Sequence, residues 1–151
     1  ALLSFLHGHW LHESLHVVLT DVPVGAWTVT VVADTIDAIA GNESLNKVAD
    51  VALVVGLVGA MGAAVTGMVD WSEIRKERPR RIGWAHALLN IGATVLFAVS
   101  YGARKTRQGR SVGRYLAAAG YGMVSLSAHL GGNMIYEHGI GVLDRADGSH
   151  A

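Results

Sequence analysis

Histidine is the residue type with which this 151-residue chain could do chemistry, because it has eight histidines and no cysteine. The lack of cysteine excludes disulfides, thiolate metal sites and a cysteine nucleophile. Neutral imidazole binds zinc and haem iron, so the histidines are candidate metal ligands. The eight positions are His7, His9, His12, His16, His86, His129, His138 and His150.

Four apolar stretches predict the elements that position these histidines. Each has about 20 residues or more, enough to cross a bilayer core as a helix. Hydrophobic residues make up 51% of the chain and charged residues 16%, too few for the polar faces of a soluble bundle. The sequence therefore predicts an all-α fold, an integral membrane four-helix bundle over residues 17–142. The predicted spans are 17–40, 48–69, 82–101 and 113–136, between an interfacial segment, 1–16, and a polar tail or linker, 143–151.

The four spans also predict a topology. Both chain ends and the connection 71–81 fall on one side, here called side A, and the connections 41–47 and 102–114 fall on side B. Each side has six Lys and Arg residues, so the positive-inside rule does not decide the orientation. The connection 102–114 has no acidic residue, which favours side B as the cytoplasmic face of a bacterial inner membrane. All the histidines then lie in the outward-facing half.

Three histidines head polar stripes at similar predicted depth. His16, His86 and His129 are each followed four residues later by Thr or Asn, and residues at this spacing share a helix face. Ionisable residues at membrane depth normally face the bundle interior and are functional. On the fourth span the stripe consists of Gly122, Ser125, His129, Asn133 and Tyr136.

These stripes predict a haem b site with two axial histidines. The candidate pairs are His86 with His129, and His86 with His16; Asn90 lies beside His86, and His138 is a further candidate. Arg80 and Arg81 lie on the same side and could pair with haem propionates. Two histidine ligands leave no open iron position, which suits electron transfer.

Two other interpretations stay open. The histidines could hydrogen-bond across a helix seam in a cofactor-free membrane anchor or accessory subunit. Residues 12–16 read HESLH, which matches the H-E-x-x-H pattern of zinc hydrolases with Glu13 as general base. A hydrolytic zinc site needs a third protein ligand, and no residue follows the spacing of the soluble enzymes.

Several short motifs resemble domain-of-unknown-function family 2231, bacterial four-span membrane proteins of which some are joined to a Rieske iron–sulphur domain. The motifs are LHVVLTDVPVGAW, GMVDW, HALLN and HLGGNMIYEHGIGV, in that order from about His12 to Val142. By position, the resemblance implies a characteristic set: His16, Pro23, Gly25, Asp70, Trp71, His86, Asn90, Gly131, Gly132, Tyr136, His138 and Gly139. The chain departs from the family pattern at HESLH, where the family often has GHPLH, and at Asn133, where it often has His or Glu.

The sequence thus predicts a b-type haem electron-transfer subunit rather than an enzyme. Its expected partners are lipid, other membrane subunits of a redox complex, and a Rieske-type or cytochrome partner. Equal numbers of basic and acidic residues, 12 of each, disfavour nucleic-acid binding.

Overall fold

Four long helices form nearly all of the computed structural model, which describes residues 15–73 and 77–137. Helix α1 is Leu15–Ala40, α2 is Leu45–Glu73, α3 is Glu77–Ala103 and α4 is Arg107–Tyr136. The two described ranges contain no strand. The predicted all-α bundle is confirmed.

Short turns on side B join the helices in pairs. Helix α1 is terminated by Gly41, the residue after Ala40. Gly41 has a φ of +63°, which glycine adopts readily, and its N–H donates to Asp37 O at 2.9 Å. Helix α4 begins after Thr106, whose hydroxyl accepts from the Gly109 N–H at 3.0 Å. Turns this short make α1 antiparallel to α2, and α3 antiparallel to α4.

The bundle consists of two helical hairpins, α1–α2 and α3–α4, each with extensive internal contacts. Between hairpins, α1 contacts α4 and α2 contacts α3 less extensively. At the centre, the Trp27 ring on α1 stacks on the Phe97 ring on α3, with centroids 4.1 Å apart and planes 9° apart. Helices α1 and α3 therefore face each other across the bundle. The other buried apolar residues around this stack are Leu53, Ala93, Ala117 and Val124.

Among the described residues, three helical segments are long and apolar enough to cross a membrane: Leu15–Ala40, Leu45–Ser72 and Arg80–Ala103. Their outward side chains are apolar, as at Val58 and Met61, which suits contact with lipid. The predicted fourth span lies in α4, which by length and composition is not among these three. Arginines near its start and many small residues lower its hydropathy, yet it packs antiparallel along α3.

Gly56→Ala is expected to destabilise the bundle. An added Cβ would lie 2.2 Å from Trp27 Nε1, and Trp27 cannot move without breaking its stack on Phe97. Overpacking of this kind costs about 1–3 kcal/mol. The better helix propensity of alanine recovers at most about 1 kcal/mol.

Gly122→Ala is the matched control, because a Cβ there meets nothing within 4 Å. The measurement is the midpoint of SDS-induced unfolding in detergent micelles, followed by circular dichroism. Equal midpoints for the Gly56 and Gly122 variants would contradict the prediction.

Candidate functional site

Two of the predicted site histidines meet inside the bundle, in its side A half. The His16 ring on α1 and the His86 ring on α3 have centroids 6.3 Å apart, and their planes are 84° apart. Both residues are half-buried. The facing positions of α1 and α3 bring them together although they are 70 residues apart in sequence.

Each of the two rings is held by a backbone carbonyl of the antiparallel helix in its own hairpin. His16 Nδ1 lies 2.8 Å from Ala63 O, and His86 Nδ1 lies 2.9 Å from Ser127 O. A carbonyl oxygen only accepts, so each Nδ1 carries the proton and donates it, which leaves Nε2 with the lone pair. Metal-bound histidines characteristically donate their second ring N–H in this way. Both imidazoles are therefore in the form that coordinates a metal through Nε2.

Asn90 is the third polar side chain at this site. Its Nδ2 lies 3.0 Å from His86 Nε2 and 2.8 Å from the hydroxyl oxygen of buried Ser127. Asn90 therefore donates to the ring nitrogen that a metal would use. Coordination by His86 requires this one hydrogen bond to be given up, while the Ser127 hydroxyl remains an acceptor for the amide.

Glycines on the facing helices make room for the two imidazoles. An added Cβ at Gly67 would lie 2.8 Å from His16 Cε1, and one at Gly131 would lie 3.2 Å from His86 Cε1. A side chain larger than hydrogen at either position would displace the ring. These two glycines thus belong to the site through their small size.

The structure does not bring His129 to His86. The α4 residues that contact His86 are Ser127 and Gly131, and His129 lies roughly 200° around the helix from Ser127. The polar stripe that contains His129 was expected to face the interior, but Gly122, Ser125, His129 and Tyr136 are exposed. Small residues let membrane helices approach most closely, so they line the inner face instead. The buried residues of α4 are Gly113, Ala117, Gly120, Val124 and Ser127.

Arg80 and Arg81 are exposed and precede His86 on α3 by six and five residues, about 8–9 Å along the helix. The Arg80 guanidinium carbon lies 4.8 Å from the centroid of the Trp71 ring, a cation–π contact. Both arginines therefore lie between the histidine pair and the side A end of the bundle.

The predicted ligands His138 and His12, and Glu13, the predicted general base of the HESLH motif, lie outside the described residues. Within residues 15–73 and 77–137, no group of three or more His, Asp or Glu side chains could hold a metal ion. Within these ranges, His16 and His86 are the two predicted ligands whose rings lie close together.

An ionic cluster at the side B end was not anticipated from the sequence. Arg104, with 1% of its side chain exposed, donates to both carboxylate oxygens of Asp34 and, at 3.3 Å, to Asp50. The cluster joins α1, α2, α4 and the turn that follows α3. It consists of Asp34, Asp37, Asp50, Arg104, Arg110 and Arg114.

The sequence did contain a signal for this ionic cluster. Asp34 and Asp37 lie inside the first apolar stretch, and Asp50 inside the second. Acidic residues at membrane depth need charged partners, and the basic connection 102–114 was the nearest source on side B. That connection had been interpreted only as a topology marker.

The comparisons with known proteins agree with the fold. The family model described as a predicted membrane protein, DUF2231, matches residues 12–144. The chain belongs to the DUF2231 family. The resemblance read from the sequence motifs is thereby confirmed, and the DUF2231 match includes His16, His86 and the whole ionic cluster. Neither the curated proteins nor the solved structures give a match.

Proposed function

We propose that this DUF2231 protein is a membrane-embedded b-type haem protein that transfers electrons within a larger redox complex. In this proposal His16 and His86 would hold the haem iron. The observation that carries it is the paired geometry: both Nδ1–H groups are held by carbonyls, with the rings 6.3 Å apart.

The spacing of the two rings fits a shared metal ion. A metal–imidazole nitrogen bond is about 2.0–2.1 Å, so two rings on opposite sides of one metal have centres roughly 6 Å apart. The observed distance of 6.3 Å between the two ring centroids is close to this value. A haem held by His16 and His86 would supply one-electron redox chemistry.

The other residues around the pair have supporting roles in this proposal. Gly67 and Gly131 leave the rings free of steric conflict. Asn90 turns its amide fully to Ser127 when His86 Nε2 binds iron. Arg80 and Arg81 lie on the side A flank, where a guanidinium can pair with a propionate. The proposal does not use His129 as a ligand, because its side chain is exposed on the outer face of α4.

The position of His16 and His86 in the bundle indicates the face of the membrane from which redox partners would approach the haem. We place the protein in the bacterial inner membrane with side B cytoplasmic, on the basis of the acid-free connection 102–114. The haem then lies near the outer face, within reach of a Rieske-type or cytochrome partner. The apolar outer faces of the helices suit lipid or other membrane subunits of the complex.

One observation favours a second candidate function, a cofactor-free membrane anchor. Both ring nitrogens of His86 already have hydrogen-bond partners, Ser127 and Asn90. A ring with both nitrogens satisfied can simply hold two helices together. In this alternative the histidines hold together the two helices of each hairpin and bind no metal.

A reduced-minus-oxidised spectrum decides between the two. The full chain, purified in detergent from cells supplied with a haem precursor, is expected to show haem b α-bands and one haem per chain. A folded protein, helical by circular dichroism but without α-bands, would reject the haem proposal and support the anchor.

A further inference from the structure

The two hairpins contain the same set of contacts. His16 donates to Ala63 O in the first hairpin as His86 donates to Ser127 O in the second. Two further such bonds run from Thr30 to Ala49 O and from Ser100 to Gly113 O. Each α1 residue thus corresponds to the α3 residue 70 positions later, and each α2 residue to the α4 residue 64 positions later.

The close-packed glycines follow the same correspondence. A Cβ at Gly56 would clash with Trp27, and a Cβ at Gly120 would lie 3.1 Å from Phe97. Trp27 and Phe97 are themselves 70 positions apart, and Gly56 and Gly120 are 64 apart. The pair Gly67 and Gly131, beside His16 and His86, keeps the same 64-residue shift. Four contacts, made by three pairs of equivalent residues on α1 and α3, therefore share one register.

Corresponding residues of α1 and α3 touch each other. His16 faces His86, and Trp27 stacks on Phe97. The same shift of 70 residues relates Asp34 to its ion-pair partner Arg104, the first residue after α3. When a position contacts its own equivalent, it lies on a two-fold axis. The three contacts define a pseudo-two-fold axis that runs along the bundle from the histidine pair to the ionic cluster.

The two hairpins differ in the charge of some equivalent residues. At two pairs of equivalent positions the first hairpin has an acid and the second an arginine: Asp34 with Arg104, and Asp50 with Arg114. Two identical hairpins would place like charges together near the axis, where burial makes their repulsion strong. Because the charges of the two hairpins are opposite, these residues attract each other and form the observed ionic cluster.

We infer that the inner face of each hairpin is an interaction surface for a hairpin of the same build and opposite charge. The acidic hairpin α1–α2 and the arginine-bearing hairpin α3–α4 are such partners. The charge difference makes them pair with each other, and it excludes pairing of either one with its own copy.

The test reverses the charges in the full-length chain. Replacing Asp34, Asp37 and Asp50 with Arg puts six arginines together, and the bundle is expected to lose its cooperative SDS-unfolding transition. Adding Arg104→Asp, Arg110→Asp and Arg114→Asp reverses the whole ionic cluster and is expected to recover most of the wild-type midpoint. Recovery requires arginines to fit where the acids were and acids where the arginines were, so that opposite charges again meet between the hairpins.

A circular permutant tests equivalence with every side chain native. It begins at Glu77, ends at Lys76 and joins residue 151 to residue 1, so that the second hairpin comes first. Equivalent hairpins predict an unfolding midpoint close to wild type, and an unfolded permutant would overturn the equivalence.

The charge-reversal variants test the pairing rule separately. A stable variant with six arginines, or a fully reversed variant as unstable as that one, would overturn the inference about charge. These measurements follow unfolding and need no cofactor, so their outcome is independent of the haem proposal.

Discussion

Arg104→Ala is expected to lower the free energy of unfolding by about 3–5 kcal/mol, the usual cost of removing one partner of a buried ion pair. The Arg104 side chain is 1% exposed, and that of Asp34 is 6% exposed. Without the guanidinium, the Asp34 carboxylate keeps only Arg114 Nε at 3.9 Å, and the Ser100 hydroxyl loses its donor. SDS unfolding of the purified variant in micelles measures the effect.

Arg107→Ala is the matched control for this prediction, because Arg107 is an exposed arginine three residues further along the chain. Its loss is expected to change the midpoint little, as surface substitutions usually do. The double variant Asp34→Ala/Arg104→Ala is expected to lose less than the sum of the single losses, because the two residues are directly coupled. Additive losses, or equal effects of the two arginine variants, would show that the buried pair contributes no coupling.

His16→Leu/His86→Leu is expected to abolish the haem b absorbance of the purified protein. Leucine offers no lone pair, so neither axial bond can form. Either single variant is expected to lose the bis-histidine spectrum as well, since one axial ligand is gone. Haem content per chain and the reduced-minus-oxidised spectrum measure the result.

Two controls separate ligand loss from misfolding in this experiment. His129→Leu removes an exposed histidine from the outer face of α4 and is expected to keep the full spectrum. The second control is circular dichroism, which is expected to show that the double variant remains helical. If His129→Leu lost the haem while the double variant kept it, the assignment of His16 and His86 as the ligands would be wrong.

The long helices could be predicted from the sequence because their determinants are local. An apolar run of about 20 residues favours a membrane helix whatever lies elsewhere in the chain. The rise of about 1.5 Å per residue likewise places His16 and His86 in the same half of the bundle without any tertiary information. The motifs around these two histidines were also sufficient to indicate the family.

The repeat of the two hairpins was hidden in the sequence for a physical reason. Equivalent positions keep a shape or a hydrogen bond while the residue type changes, as with Trp27 and Phe97. Thr30 and Ser100 each donate a hydroxyl hydrogen to a carbonyl, and Asp34 and Arg104 are opposite in charge. Only the contacts reveal that these positions correspond.

Which face of each helix points into the bundle depends on tertiary structure alone. Polarity placed His129 in the predicted site, but the face of α4 that meets α3 is the one with Gly120 and Ser127, since small side chains allow the closest approach. The choice of His16 as the partner of His86, and the pairing of Asp34 with Arg104, depend on how α1 packs against α3 across 70 residues of sequence. A residue's helix and depth follow from local sequence, whereas its partner depends on the packing of distant segments.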